Sequence, residues 1–222
     1  MLMHGITTSK ARENGVSLKM YLRITFSLSV SLSLSLWLKG VVEMNYRIEQ
    51  KNSFTIVGVK ERFSHIEGLG ENIGRMWRET PSETLEQIAG LGDTEPYGLL
   101  GVYSGMYDDN TTDYYIATTT KKICPETLYK LEIPSLTWAI FEITGPMPTA
   151  MAEVWGRIFS EWFPTSGYEH AEAPEVEWYS EGDLSATDYK SEIWIPVIKK
   201  WSSMPNKHFG YQNWCITLIY IY

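Results

Sequence analysis

Cysteine is nearly absent. Cys124 and Cys215 are the only two in 222 residues, so neither a disulfide framework nor a paired-cysteine metal site can be built, and a reducing cytoplasm is the expected compartment. Histidine is almost as scarce: His4, His65, His170 and His208 are too scattered in sequence for a metal cluster. The chain contains no H-E-x-x-H pair, no Walker lysine loop and no G-x-S-x-G elbow. Gly68-x-Gly70 lacks the rest of a dinucleotide fingerprint, and the acids show no calcium-loop spacing. No cofactor and no metal are therefore expected. Positive charge is also in short supply. The net charge is −8, and residues 44–200 hold 13 basic against 25 acidic side chains. Such a surface repels phosphate backbones, which argues against direct nucleic-acid binding.

What is abundant is apolar and aromatic. Hydrophobic residues make up 44% and aromatic residues 14% of the chain, with nine Trp and fourteen Tyr. That is ample for one packed domain, and large aromatics line ligand cavities as readily as they fill cores. The two ends differ from the middle. Ser27 to Leu38 alternates serine and leucine. Across the longer run from Met20 to Leu38, Arg23 and the serines keep it below the roughly 20 solidly apolar residues of a membrane span, and no small-x-small cleavage site follows. Residues 1–43 are expected to be an extension preceding a true start at Met44, with a signal or anchor as the alternative. Residues 201–222, ending in Trp214-Cys-Ile-Thr-Leu-Ile-Tyr-Ile-Tyr222, form an apolar tail that reads either as read-through or as an extra strand.

Between them, the sequence repeats itself. A strand over Phe54–Phe63 leads into helix from about Gly68 to Ala89, broken at Pro81. Two strands follow, Tyr97–Gly105 and Asp113–Lys121, joined across Asp108-Asp109-Asn110. The second half gives a strand Leu136–Ile143, an amphipathic helix Thr149–Trp162 closed by Pro164, and strands Glu175–Ser180 and Lys190–Ile198. Leu128–Ile133 reads as an additional strand between the halves. Strand-helix-strand-strand, twice, predicts an α+β fold: an antiparallel sheet with its helices on one face.

Three words close the second half: Trp162-Phe-Pro-Thr-Ser-Gly-Tyr168, then Pro174-Glu-Val-Glu-Trp-Tyr179, then Glu192-Ile-Trp-Ile-Pro-Val197. With the opening strand Met44-Asn-Tyr-Arg-Ile-Glu49, they resemble the GyrI-like small-molecule-binding domains, also called AraC-type effector-binding domains. The resemblance covers residues 44–200. It implies two modules related by a pseudo-two-fold, with a ligand cleft between them. Family members are often fused to a DNA-binding domain for which they sense drugs or metabolites; residues 1–43 show no helix-turn-helix pattern, so a stand-alone form is expected.

Candidate site residues follow from period-two alternation. Ile193, Ile195 and Val197 mark the packed face of the last strand, leaving Glu192 and Trp194 on a face that is either solvated surface or cleft wall. The resemblance favours the cleft, since relatives carry a functional glutamate on this strand. Glu175, Glu177 and Tyr179 share a face of the partner strand. Two acids at i and i+2 are costly if buried together, so one is expected to enter the cleft; the family pattern points to Glu177. Tyr103 and Tyr115 (or its neighbour Tyr114) would form the opposite wall by pseudo-symmetry, and Trp138, Trp155 and Trp162 read as core. The leading expectation is a stand-alone binding domain for amphipathic, cationic or aromatic small molecules, in which Glu192 and Glu177 supply the charge complement. Two other classes stay open. One is a hydrolase of electrophilic compounds with Glu192 as its acid/base. The other is a module that acts on a protein partner through its surface.

Overall fold

The computed structural model describes residues 44–66 and 68–200, so the expectations for residues 1–43 and 201–222, Cys215 included, lie outside the described residues. The elements run β1 (Tyr46–Lys51), β2 (Phe54–Ser64), α1 (Leu69–Glu79), α2 (Ser82–Leu91), β3 (Leu99–Tyr103), β4 (Thr111–Thr119), β5 (Tyr129–Ile133) and β6 (Leu136–Thr144). Then come α3 (Thr149–Arg157), a π turn (Ile158–Trp162), α4 (Phe163–Thr165), β7 (Tyr168–His170), β8 (Glu175–Tyr179) and β9 (Lys190–Lys199). Pro81 separates α1 from α2 as expected: Thr80 before it is extended, and its hydroxyl caps the Met76 carbonyl at 2.7 Å. Pro164 does not end its helix at once. A π turn precedes it, and the helix runs on to Thr165, whose hydroxyl donates to the Glu161 carbonyl. The three-residue β7 is too short to carry an alternation and was not expected.

All the strands pair antiparallel in the order β1-β6-β9-β8-β3-β4-β2-β5, with β7 beside β9. The duplication is visible in that order. β3 and β8 meet at the centre, β4 and β9 flank them, then β2 and β6, and each module contributes its helices between its first and second strands.

Connectivity forces the sheet to curl. β1 and β2 are six strand spacings apart, roughly 29 Å in a flat sheet. Yet only Asn52 and Ser53 join Lys51 to Phe54, a reach of at most about 11 Å. The link from Ile133 to Leu136 spans the same six spacings with Pro134 and Ser135. The hydroxyl of Ser135 ties the two links together by donating to the Lys51 carbonyl at 3.0 Å. Gly58 permits the curl where β2 crosses β4, since any Cβ there would overlap the Ile116 carbonyl.

Curling makes two cores. The convex face packs under the helices through Phe63, Ile73, Met76, Phe141, Ile193 and Ile195. The concave face closes on itself around Ile56, Leu100, Val102, Trp138, Ile140 and Val176. Flattening the sheet would return those concave side chains to water at about 1.5–3 kcal/mol each, more than enough to hold the bend.

Candidate ligand-binding site

The alternation of β8 decides which acids meet the helices. Gly101 of β3 and Ile193 of β9 lie opposite Glu177, and Ile193 belongs to the helix-side core. Glu177 therefore points under the helices. It is 1% exposed, and aromatic donors surround its carboxylate. Trp155 Nε1 donates to Oε1 at 2.8 Å, with the Tyr103 hydroxyl at the long distance of 3.5 Å. Oε2 accepts from the hydroxyls of Tyr179 at 2.8 Å and Tyr114 at 3.0 Å. Trp77 of α1 in turn donates to the Tyr114 oxygen at 2.9 Å. The rings brace one another edge to face: Tyr103 against Tyr114 and Trp155, Trp77 against Tyr179.

Gly101 makes room for this cage. A Cβ there would collide with the Tyr114 hydroxyl and lie 2.7 Å from Glu177 Oε2. Burial pushes the Glu177 pKa above the usual carboxylate range, while the bonds from Trp155, Tyr179 and Tyr114 pull the other way without cancelling it. The result is a carboxyl whose neutral form is favoured by burial and whose ionised form is favoured by its donors, walled by five aromatic rings. It can act as an acceptor cluster for a cation or as an acid/base. Trp77 and Tyr179 are its half-buried members, and the other three rings are buried.

Glu175 departs from expectation. It is 2% exposed and shares the face of Glu177, although burying two acids at i and i+2 was expected to exclude one of them. His170 Nε2, 2.8 Å from Glu175 Oε1, resolves the conflict by giving the second acid its own partner. Histidine at the end of a strand too short to recognise left no signal for this pairing.

The six expected ligand-binding residues fall into two groups. Glu177, Tyr179 and Tyr103 come together in the cage. Glu192, Trp194 and Tyr115 lie on the concave face instead, because β9 registers Glu192 opposite Trp178 and Trp194 opposite Val176, while Tyr115 lies opposite Val102. Glu192 is 2.9 Å from Arg47 Nη1 and accepts from Trp194 Nε1 at 2.6 Å. Arg47 thus gives Glu192 a cationic partner within the protein. Together with Trp178, Glu192 and Trp194 line an open cavity of about 860 Å³ that excludes the cage residues. Tyr115 packs with the Lys60 ammonium 5.9 Å from its ring centre.

Three members of the cage were read differently from sequence. Trp155 was placed in the core, where it is, but it also holds Glu177. Tyr114, not Tyr115, faces the acid. Trp77 was not among the expected site residues. Buried indole N–H and phenol O–H groups need acceptors, and that requirement was the available clue to a buried acid among them.

Among the described residues no group of His, Cys, Asp and Glu could hold a metal ion, and no helix is long and apolar enough to cross a membrane. Comparison with solved structures finds the same fold in SAV2435, solved with bound tetraphenylphosphonium, at 24% identity and a TM-score of 0.64 over 70% of this chain and 94% of that one. A Staphylococcus aureus MU50 protein assigned to bacterial transcription regulation is 27% identical, with a TM-score of 0.60 over 70% and 99% of the two chains. An integron cassette protein of Vibrio cholerae matches at 20% identity and a TM-score of 0.50, over 69% and 95%. No curated protein matches the sequence significantly. The GyrI-like small molecule binding domain model matches residues 44–198, and the chain belongs to the GyrI-like family.

Proposed function

We propose that residues 44–200 form a receptor domain for hydrophobic cations, which bind in the aromatic cage between α1 and α3 with Glu177 as counter-charge. The observation that carries this is a single carboxylate, 1% exposed, whose hydrogen-bond partners are all aromatic side chains. An isolated buried carboxylate is unstable as an anion. A delocalised cation is cheap to desolvate, meets the ring faces favourably and pairs with the carboxylate, so its binding repays the cost of ionising Glu177. Metal ions or ammonium compounds that hold their water tightly lack that advantage. Tetraphenylphosphonium, the compound bound to SAV2435, has the required chemistry. The domain would act in sensing or sequestration in the cytoplasm, without contacting nucleic acid itself; any protein partner would read the loaded state.

The test is a titration of the protein with tetraphenylphosphonium, followed by calorimetry and tryptophan fluorescence, on the wild type and on Glu177→Gln. Saturable binding, weakened at least about tenfold in Glu177→Gln, is the expected result, corresponding to about 1.4 kcal/mol of lost charge pairing. Equal affinity of the two proteins would overturn the proposal. So would turnover of a neutral ester or epoxide that Glu177→Gln abolishes, since that would make Glu177 an acid/base of a hydrolase.

A further inference from the structure

We infer that the concave face carries a second binding site, separate from the cage and built for an uncharged planar aromatic molecule. Its cavity of about 860 Å³ falls within the range of small-molecule sites. Three segments that the curl brings together form the rim: the β1–β2 link, the loop before β3 and the chain just after β4. Hydrogen bonds tie these segments to one another. The Thr120 N–H donates to the Thr55 carbonyl at 3.0 Å, and the Asp93 N–H to the Thr119 carbonyl at 3.2 Å. The Lys121 N–H donates to Asp93 Oδ1 at 2.8 Å. The rim is thus fixed by the fold before any ligand arrives. Its walls are aromatic: Phe54, Tyr97, Trp178 and Trp194. Both indole N–H groups are already committed, that of Trp178 to the Tyr97 carbonyl and that of Trp194 to Glu192, each at 2.6 Å. What the two indoles offer a ligand is ring surface.

The charges along these walls satisfy one another. Arg47 lies 2.7 Å from Glu49, 3.2 Å from Glu142 and 2.9 Å from Glu192. Lys51 Nζ is 2.6 Å from Glu49 and 4.8 Å from the centre of the Trp194 ring. The two remaining charges of the lining, Lys121 and Glu95, are exposed and opposite in sign. A ligand of either sign therefore meets no wall charge in want of a counter-ion, and entering the cavity costs it part of its hydration. An uncharged ring is free of that cost and gains the aromatic surface. Neutral polar groups complete the lining. Asn52, Ser53, Thr55 and Thr94 bring amide and hydroxyl groups to the cavity, and among the described residues none of these side chains is engaged in a hydrogen bond. A carboxamide or hydroxyl at the ligand's edge finds both donors and acceptors there, while its ring lies along the indoles.

The probe is 2-naphthamide, titrated into the full-length protein at neutral pH by calorimetry. Beside it run 2-naphthoate and the 2-naphthylmethylammonium ion, which keep the ring and change only the charge of its substituent. The expected result is one saturable site for the amide, at least about fivefold tighter than for either charged congener. Its affinity should fall at least about tenfold in Ser53→Trp, which plugs the mouth of the cavity, and be unaffected by saturating tetraphenylphosphonium. Ser53 is exposed, and circular dichroism of the variant confirms that the fold is retained. The same variant should bind tetraphenylphosphonium as the wild type does, so the two sites stand or fall separately. Absence of saturable binding up to the solubility limit of the amide, equal affinity for a charged congener, indifference to Ser53→Trp, or displacement by tetraphenylphosphonium would each overturn the proposal.

Discussion

At the scale of the residue, Glu177 is caught between two protonation states that different partners favour. Burial raises its pKa above the usual range for glutamate, against the pull of its aromatic donors, and the neighbouring Glu175 adds to the rise. A carboxyl whose folded pKa exceeds its unfolded one stabilises the fold fully below the unfolded value. That contribution is lost as pH rises through the folded value. Cation binding runs the other way, because only the ionised form offers a counter-charge. Glu177→Gln fixes the neutral state and removes both dependences. Raising the pH from about 5 to 8 should therefore lower the melting temperature of the unliganded wild type relative to Glu177→Gln. Over the same interval, the affinity of the wild type for tetraphenylphosphonium should rise by at most about tenfold per pH unit. Parallel melting curves and a flat affinity profile would show that Glu177 does not titrate in that window. The acid itself was legible in sequence, through the P-x-x-E-x-Y word. Its donors were not, because an indole on the apolar stripe of a helix looks the same whether or not a carboxylate lies beneath it.

At the scale of the element, alternation gave each strand two correct faces and left open which faces join. Glu175, Glu177 and Tyr179 do share one side of β8, as Ile193, Ile195 and Val197 share one side of β9. Only the register Glu177↔Ile193 shows that the acid side of β8 is the aliphatic side of β9. That puts Glu192 behind the sheet from Glu177, and period two alone has no means of fixing it. Register also explains a charge cluster that the sequence did not announce. Asp113 on β4 lies opposite Arg62 on β2 and takes bonds of 2.7 Å from both Arg62 and Lys60. The Arg62 bond is the main cause holding the Asp113 pKa at about 2, with Lys60 adding to it. A depressed carboxylate stabilises the fold above its ordinary pKa and loses that contribution as pH falls through the folded value. Asp113→Asn should thus destabilise the domain by about 1 kcal/mol at neutral pH, allowing for the exposure of its partners. The deficit should shrink as pH falls towards about 2. Urea unfolding of both proteins at pH 7 and near pH 2.5 checks this, and an equal deficit at the two pH values would mean that packing, not charge, ties β4 to β2.

At the scale of the whole molecule, the sheet sets Glu177 and Glu192 on opposite faces, although the sequence pattern had put both in one cleft. The duplicated α+β order, the Pro81 break and the extra strand before β6 were legible from pattern and turn residues. The curl was not. Its cause is the brevity of the Asn52-Ser53 and Pro134-Ser135 links, which becomes a constraint only once β1 and β2 are known to stand six strands apart. A molecule folded this way presents one overall field to any ligand approaching from solution. With 25 acidic and 13 basic residues between 44 and 200, that field attracts cations before they reach the proposed site, and it is screened within about 8–10 Å at physiological salt. Stopped-flow fluorescence should therefore show the association rate of tetraphenylphosphonium falling as salt is raised from about 10 to 150 mM. Its dissociation rate should stay nearly constant, because contacts inside an aromatic site are poorly screened. If salt instead acted on dissociation, the charges that matter would be those touching the ligand, and the acidic surface would have no part in selecting it.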